Sequence, residues 1–274
     1  MICHLSTHWC NMEPVSLSLI IPAWNEEKRL PRTLQACVEF LRRQPYTSEI
    51  IVVTDGSTDR TAEVARSFNT EFTNLQVLAF ADNCGKGFAV KAGMQAARGT
   101  YRIFLDADNA VPVETIATFV KKITEGYDIV IGSRALERSE IAHGQGFLRQ
   151  KLAQLFGFLQ WCVLRMPFPD TQCGFKLFTA DAANTFFPML TYDCAYFDAE
   201  LMYVAYHAGA KIAQLPVVWS HDEETRLPIG LKRSVDLFKK LLNIPQVHAS
   251  NAVKFQRRVV DATACDAALS SRNR

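Results

Sequence analysis

Tyr101-Arg102-Ile103-Phe104-Leu105-Asp106-Ala107-Asp108-Asn109 is the stretch on which the fold turns. A short apolar run rich in strand formers ends abruptly on two carboxylates, and Pro112 to Ile123 then follows with helical spacing and a proline in its first turn. The same alternation extends in both directions. Upstream, Ser16 to Pro22 is a buried-strand run closed by proline. Asn25, Glu26 and Glu27 suit the start of a helix that carries Leu30, Leu34, Cys37, Val38 and Leu41 on one face. A second strand, Glu49 to Val53, runs into Thr54-Asp55-Gly56-Ser57-Thr58-Asp59, where Ser57 or Thr58 can cap a helix through Phe68. A third, Leu75 to Phe80, precedes Asn83-Cys84-Gly85-Lys86-Gly87 and a helix ending near Gly99. Downstream, a fifth strand, Tyr127 to Gly132, leads into Ser133-Arg134. Strands alternating with helices predict an α/β fold, a mostly parallel central sheet with helices on both faces. Ligands of such sheets bind beyond the carboxyl ends of the strands, where Pro22, Asp55, Asp106 and Asp108 are expected to lie.

The second half is less regular. Asp170-Thr171-Gln172-Cys173-Gly174-Phe175-Lys176 is read as a loop entering a strand. Helices are expected at Asp181 to Phe187, Asp198 to His207 and Gly230 to Leu242, with a strand from Lys211 to Trp219 between the last two. One domain is expected over residues 15–245, flanked by a disordered extension at 1–14 and a poorly ordered tail at 246–274. The 274 residues are 49% hydrophobic and 21% charged with a net charge of +2, so charge argues against nucleic acid as a partner. Eight scattered cysteines fit a reduced, cytoplasmic protein better than a disulfide framework. Met1 to Pro14 has neither the basic nor the apolar region of a secretory leader. No run reaches the roughly 18 uninterrupted apolar residues of a membrane span. Phe147 to Phe168 comes nearest, but Arg149, Lys151, Gln154 and Arg165 interrupt it, and it suits either a core helix or an interfacial helix.

Several residues carry chemistry. Asp106 and Asp108, one residue apart at a strand end, can share one hard divalent cation, Mg²⁺ or Mn²⁺, whose other ligands would be phosphates and water; a solvated turn is the plain alternative. Asp55 can accept from a base N–H or support a turn. Asn83 to Gly87 fits a phosphate cradle with Lys86 at a helix N-terminus, although the spacing is not that of a Walker loop, and a simple turn would look the same. Arg134 and Arg149 offer guanidinium forks for a phosphate. Cys3, His4, His8 and Cys10 crowd too closely for a zinc knuckle.

Ile21-Pro22-Ala23-Trp24-Asn25-Glu26, the TDGSTD stretch, NCGKG, LDADNA, IGSRA and DTQCGFKLF resemble, in order and spacing, the motifs of family 2 glycosyltransferases. The resemblance covers about Ser16 to Leu242 and points to the dolichyl-phosphate β-glucosyltransferases, with the mannosyl enzymes a step further away. It implies a GT-A fold, a nucleotide-sugar donor such as UDP-glucose, Mg²⁺ or Mn²⁺, and inverting transfer to a polyprenyl phosphate. Pro22, Glu26 and Asp55 would hold the nucleoside, Lys86 the diphosphate, Asp106 and Asp108 the ribose, diphosphate and metal, and Arg134 and Arg149 the acceptor phosphate. Peripheral attachment to the cytoplasmic membrane face is expected. Trp24, Thr54, Asn109 and Ala153 depart from the usual residues of the family. A hydroxyl acceptor, with Asp198 as the base it would require, and a non-catalytic binding protein of the same fold stay open.

Overall fold

The computed structural model describes residues 15–136, 139–141, 160–161, 163–194, 196–220, 231–249 and 255. Its strands are β1 (Leu17–Ala23), β2 (Ser48–Asp55), β3 (Leu75–Phe80), β4 (Tyr101–Leu105), β5 (Ile129–Ser133), β6 (Glu140–Ile141), β7 (Phe175–Thr179), β8 (Ile212–Pro216) and β9 (Val218–Trp219). Its α-helices are α1 (Leu30–Arg42), α2 (Thr61–Ser67), α3 (Lys86–Ala96), α4 (Thr115–Thr124), α5 (Ala180–Phe186), α6 (Phe197–His207) and α7 (Leu231–Val247). Seven strands form one sheet in the order β3-β2-β1-β4-β7-β5-β8, and β6 pairs with β9 alongside. Only β7 runs antiparallel, to β4 on one side and β5 on the other. The mostly parallel α/β sheet expected from the sequence is therefore the observed one.

Period-2 alternation along the strands builds two cores. Leu19 and Ile21 of β1, with Ile103 and Leu105 of β4, face α1, α2 and α4. Ile20 and Phe104 point the other way, toward α3, α5, α6 and α7. Both faces are covered, which is why the strands are apolar at nearly every position rather than alternately polar.

β1 and β2 pair from Leu17↔Ser48 to Ala23↔Thr54, but β1 and β4 pair only from Leu17↔Tyr101 to Ile20↔Phe104. Past Ile20 the two strands separate. Chain order reverses at this point, with β2 and β3 leading away on one side and β4 on the other, so a crevice opens at the carboxyl edge. Pro22 lies in the part of β1 partnered by β2 alone, where a residue without an N–H is tolerated. Because β7 is antiparallel, its leading loop, Thr171 to Gly174, arrives at the same edge.

Several element boundaries differ from the sequence expectation. α1 starts at Leu30, not at Glu26, because Asn25 adopts a left-handed conformation (φ 56°) and residues 26–29 form a separate turn. Neither Ser57 nor Thr58 caps α2. Asn25 N–H donates to Ser57 Oγ and the Asn25 side-chain Oδ1 accepts from Thr58 N–H, tying the β1 and β2 loops together, while Asp59 accepts from Thr61 N–H at the start of α2. The expected strand from Lys211 to Trp219 is broken after Pro216. α7 continues through Pro245 to Val247, forfeiting one intrahelical hydrogen bond. Packing offsets that loss. Leu241 and Ile244 are buried, His248 meets Glu200 at 2.7 Å, and the Phe255 ring packs at a tilt against Phe186. Residue 245 is thus inside a packed helix, and His248 and Phe255 belong to the folded body. The N-terminal cluster Cys3, His4, His8 and Cys10 lies outside the described residues.

Gly93 places α3 directly on the sheet. A Cβ there would overlap Ile20 Cγ2 and crowd Val53. Gly93→Ala gains about 1 kcal/mol of helix propensity, yet overpacking typically costs about 1–3 kcal/mol. Net destabilisation is expected in urea unfolding. Equal or higher stability would show that α3 can lift off the sheet without penalty.

Candidate active site

The Asp106–Ala110 loop leaves β4 at the crevice and is fastened from three sides. Thr33 Oγ of α1, fully buried, donates to the Ala107 carbonyl at 2.6 Å. Asn109 takes a left-handed conformation (φ 54°), the one that asparagine accepts best after glycine. Ser220 N–H, just after β9, donates to the Ala110 carbonyl at 2.9 Å. The loop holds both carboxylates at the crevice. Asp108 accepts from Ala110 N–H at 3.0 Å. Burial, and then the charge of Asp106, raise the Asp108 carboxyl above its ordinary value. Two carboxylates this close suit a divalent cation, whose charge offsets their mutual repulsion. Both donors are hard oxygens, and the Asn109 side-chain oxygen is buried beside them without a partner. Asp106 and Asp108 therefore fit Mg²⁺ or Mn²⁺.

Gly174 makes room for this arrangement. A Cβ at Gly174 would overlap the Asp106 carboxylate. Gly174 falls within the DTQCGFKLF stretch and Thr33 in no motif, but the contact of either with the aspartate loop appears only when β7 and α1 are brought against it.

The Asn83–Gly87 loop is clamped across the crevice. Asp55, at the end of β2 and 3% exposed, accepts from Cys84 N–H at 2.9 Å and from Gly85 N–H at 2.6 Å. The Asp193 carbonyl accepts from Gly87 N–H at 2.8 Å. Side chains at Gly85 or Gly87 would collide with Asp193. Asp55 thus spends two acceptor positions on the loop, leaving the remaining lone pairs of an ionised carboxylate for a ligand. Glu26 is engaged as well, in a bidentate pair with Arg29 at 2.7 and 2.5 Å. Lys86, the first residue of α3, puts its ammonium 2.6 Å from Asp106 Oδ1. Burial alone would lower the Lys86 pKa, but Asp106, Asp198 and Asp108 outweigh it and hold the group above the usual lysine range.

Beneath these groups lies a pair the sequence did not reveal. Lys176 on β7, fully buried, contacts Asp198 of α6 at 2.5 Å, donates to the Cys173 carbonyl and lies 5.2 Å from the Phe104 ring centre. Asp198 is 1% exposed, and burial pushes its carboxyl upward against the pull of Lys176 and Lys86. On the far side of the crevice Arg134 forms a fork to Asp170, Nε at 2.8 Å and Nη2 at 2.9 Å. Arg134 thus pairs with a neighbouring carboxylate within the chain. Two of its five donors are used, and the guanidinium lies 5.5 Å from the Trp219 ring. Arg149 lies outside the described residues. A separate cavity of about 480 Å³, lined by Glu49, Arg66, Asn69, Asn74 and Arg98, sits at the opposite edge of the sheet, where none of these groups reach.

Comparison with known proteins bears on this geometry. The family model of glycosyl transferase family 2 matches residues 18–187. A dolichyl-phosphate beta-glucosyltransferase, ALG5D, of Trichomonas vaginalis is 35% identical, with 82% of this chain and 72% of the relative covered. The Homo sapiens dolichyl-phosphate beta-glucosyltransferase is 36% identical over 77% of this chain and 69% of its own. Among solved structures, glucosyl-3-phosphoglycerate synthase from Mycobacterium tuberculosis, crystallised with Mn²⁺, UDP and phosphoglyceric acid, aligns with a TM-score of 0.64 at 16% identity, covering 85% of this chain and 78% of its own. That likeness shows the shared fold, the GT-A arrangement.

Two expected outcomes follow from the pairs. Lys176→Met leaves Asp198 buried without its cation and should cost about 3–5 kcal/mol; the double variant with Asp198→Leu should regain much of that loss, and additive losses in urea unfolding would argue against the pairing. For Asp170, burial raises the carboxyl, but the Arg134 hydrogen bond and charge outweigh it, and the net shift is downward. A folded-state pKa below the unfolded value of about 3.9 means that this stabilisation is fully present above pH 4 and is lost as pH falls through the folded value. Arg134→Met should therefore lower the melting temperature at pH 7 and flatten its decline below pH 4; a parallel pH profile would remove the pair from the stability account.

Proposed function

The chain belongs to glycosyl transferase family 2, and from that premise we propose that it transfers glucose from UDP-glucose to a dolichyl or other polyprenyl phosphate with inversion at the anomeric carbon. The observation that carries this proposal is the paired Asp106 and Asp108 at the crevice facing Lys86, in a chain about 35% identical to dolichyl-phosphate beta-glucosyltransferases over most of its length. Pro22, Asp55 and Glu26 line the nucleoside side, Lys86 faces the diphosphate, and Arg134 presents its unused donors to the acceptor phosphate. Mg²⁺ or Mn²⁺ on Asp106 and Asp108 would supply positive charge to the departing diphosphate.

A phosphate acceptor suits the residues present. A phosphate monoester has a second pKa of about 6, so it is largely dianionic at neutral pH and attacks without a base. Its oxygen forms the new bond to the anomeric carbon opposite the bond to UDP, which breaks as UDP leaves. The protein's contribution is alignment and preorganised charge. Asp198, the base a hydroxyl acceptor would require, is committed to Lys176 and 1% exposed, which favours the phosphate over the hydroxyl.

We place the protein at the cytoplasmic membrane face. No helix among the described residues is long and apolar enough to cross a membrane. In the 160–164 segment Gln160 and Leu164 are buried, whereas Trp161 is 57% exposed and suits an interface. Arg149, outside the described residues, keeps its proposed acceptor role.

Incubation with UDP-glucose, polyprenyl phosphate and Mn²⁺ should yield the glucosyl lipid. Asp108→Ala should reduce transfer at least about a hundredfold, in line with the removal of a principal electrostatic group, while the melting temperature changes little. Transfer to hydroxyl acceptors but never to the lipid phosphate would favour the alternative acceptor, and no turnover with any donor would favour a binding protein.

A further inference from the structure

Lys86 holds the carboxylate that a divalent ion needs. Its ammonium is 2.6 Å from Asp106 Oδ1, and the charges of Asp198 and Asp108 act on it as well. The group does not arrive there by chance rotation of a free surface chain. Asp55 fixes Cys84 and Gly85, the Asp193 carbonyl fixes Gly87, and the α3 helix begins at Lys86 itself. A tether of this kind gives the ammonium a high effective concentration at Asp106, against which a free ion in solution must compete. Resting on the proposal that Asp106 and Asp108 hold the metal of the donor complex, we infer that Lys86 is a built-in counter-ion that closes Asp106 to free metal and releases it only when a diphosphate arrives.

The local charge supports the exchange. Asp106, Asp108 and Asp198 face Lys86 and Lys176, three carboxylates against two ammonium groups. The neighbouring Arg134–Asp170 and Arg29–Glu26 pairs are internally neutral. One net negative charge is a weak lure for a divalent ion that must shed tightly held water. Without Lys86 the same cluster would carry two. A diphosphate changes the balance by drawing the Lys86 ammonium onto its own oxygens and adding its own negative charge and metal ligands. Metal and nucleotide would then load together, and each would tighten the other by the same factor. Free metal would not idle in the site, and Asp106 would never stand as an uncompensated charge before the donor enters. A lysine that served only to hold α3 against β4 would affect stability and leave metal affinity unchanged.

Mn²⁺ binding to the full chain, followed by electron paramagnetic resonance with and without saturating UDP, tests the exchange. Wild type is expected to bind Mn²⁺ at least about tenfold more weakly without UDP. Lys86→Met should tighten Mn²⁺ binding without UDP by about tenfold, as removal of an adjacent unit charge would, and shrink the UDP dependence. Lys86→Arg, which keeps the charge, should stay close to wild type. Lys86→Met that folds but binds Mn²⁺ no better than wild type without UDP overturns the inference while the metal site stands. Equal Mn²⁺ affinity of wild type with and without UDP overturns it even if the methionine variant fails to fold. A wild type that binds no Mn²⁺ even with UDP overturns both the inference and the metal assignment beneath it.

Discussion

β1 keeps β2 as a partner along its whole length but loses β4 after Ile20, and the site depends on that parting. Were the two strands paired to their ends, Pro22 would occupy a doubly partnered position, and Asp55 and Asp106 would flank a closed ladder. Instead the carboxyl edge splits where the chain order reverses, and three loops converge on the gap. The β4 loop brings the two aspartates, the β2 loop brings Asp55, and the loop ahead of α3 brings Lys86. Thr33 from α1 and Gly174 ahead of β7 set the height of the aspartates, one by a hydrogen bond and the other by having no side chain.

Charge is arranged with equal economy. Asp106 faces Lys86, Asp198 faces Lys176, and Asp170 faces Arg134. Each carboxylate finds its cation within the folded chain, so folding itself sets much of the field of the crevice. The three pairs differ in burial, and burial decides what each can do. Lys176 and Asp198 are sealed beneath the site and act as a foundation. The Arg134 pair is partly open, with donors to spare. The Lys86 pair is the most accessible of the three, with both side chains about a third exposed.

Much of the fold was legible because its signals are local. Short apolar runs, helical spacing and turn residues recur within ten to fifteen positions, and they located the parallel strands of the seven-stranded sheet, though not the two-residue β6 beside it. The candidate site was partly legible for a related reason: carboxylates and glycines that follow a buried strand must emerge at its end. The missed features are of another kind. Helix α7 passing through Pro245 depends on Ile244 and His248 finding cover against distant elements. The start of α1 at Leu30 depends on Asn25 bonding the loop of another strand.

The sequence by itself determined the class of fold and the edge of the sheet at which Asp55, Asp106 and Asp108 emerge, because backbone geometry and side-chain period translate directly into strand ends. Only the tertiary structure decided who pairs with whom. Arg134 and Asp170 are 36 residues apart, Lys176 and Asp198 22, and Asp55 reaches 29 and 30 residues ahead to hold Cys84 and Gly85. No local pattern announces such contacts, since each results from strands being neighbours in space in an order that differs from their order along the chain.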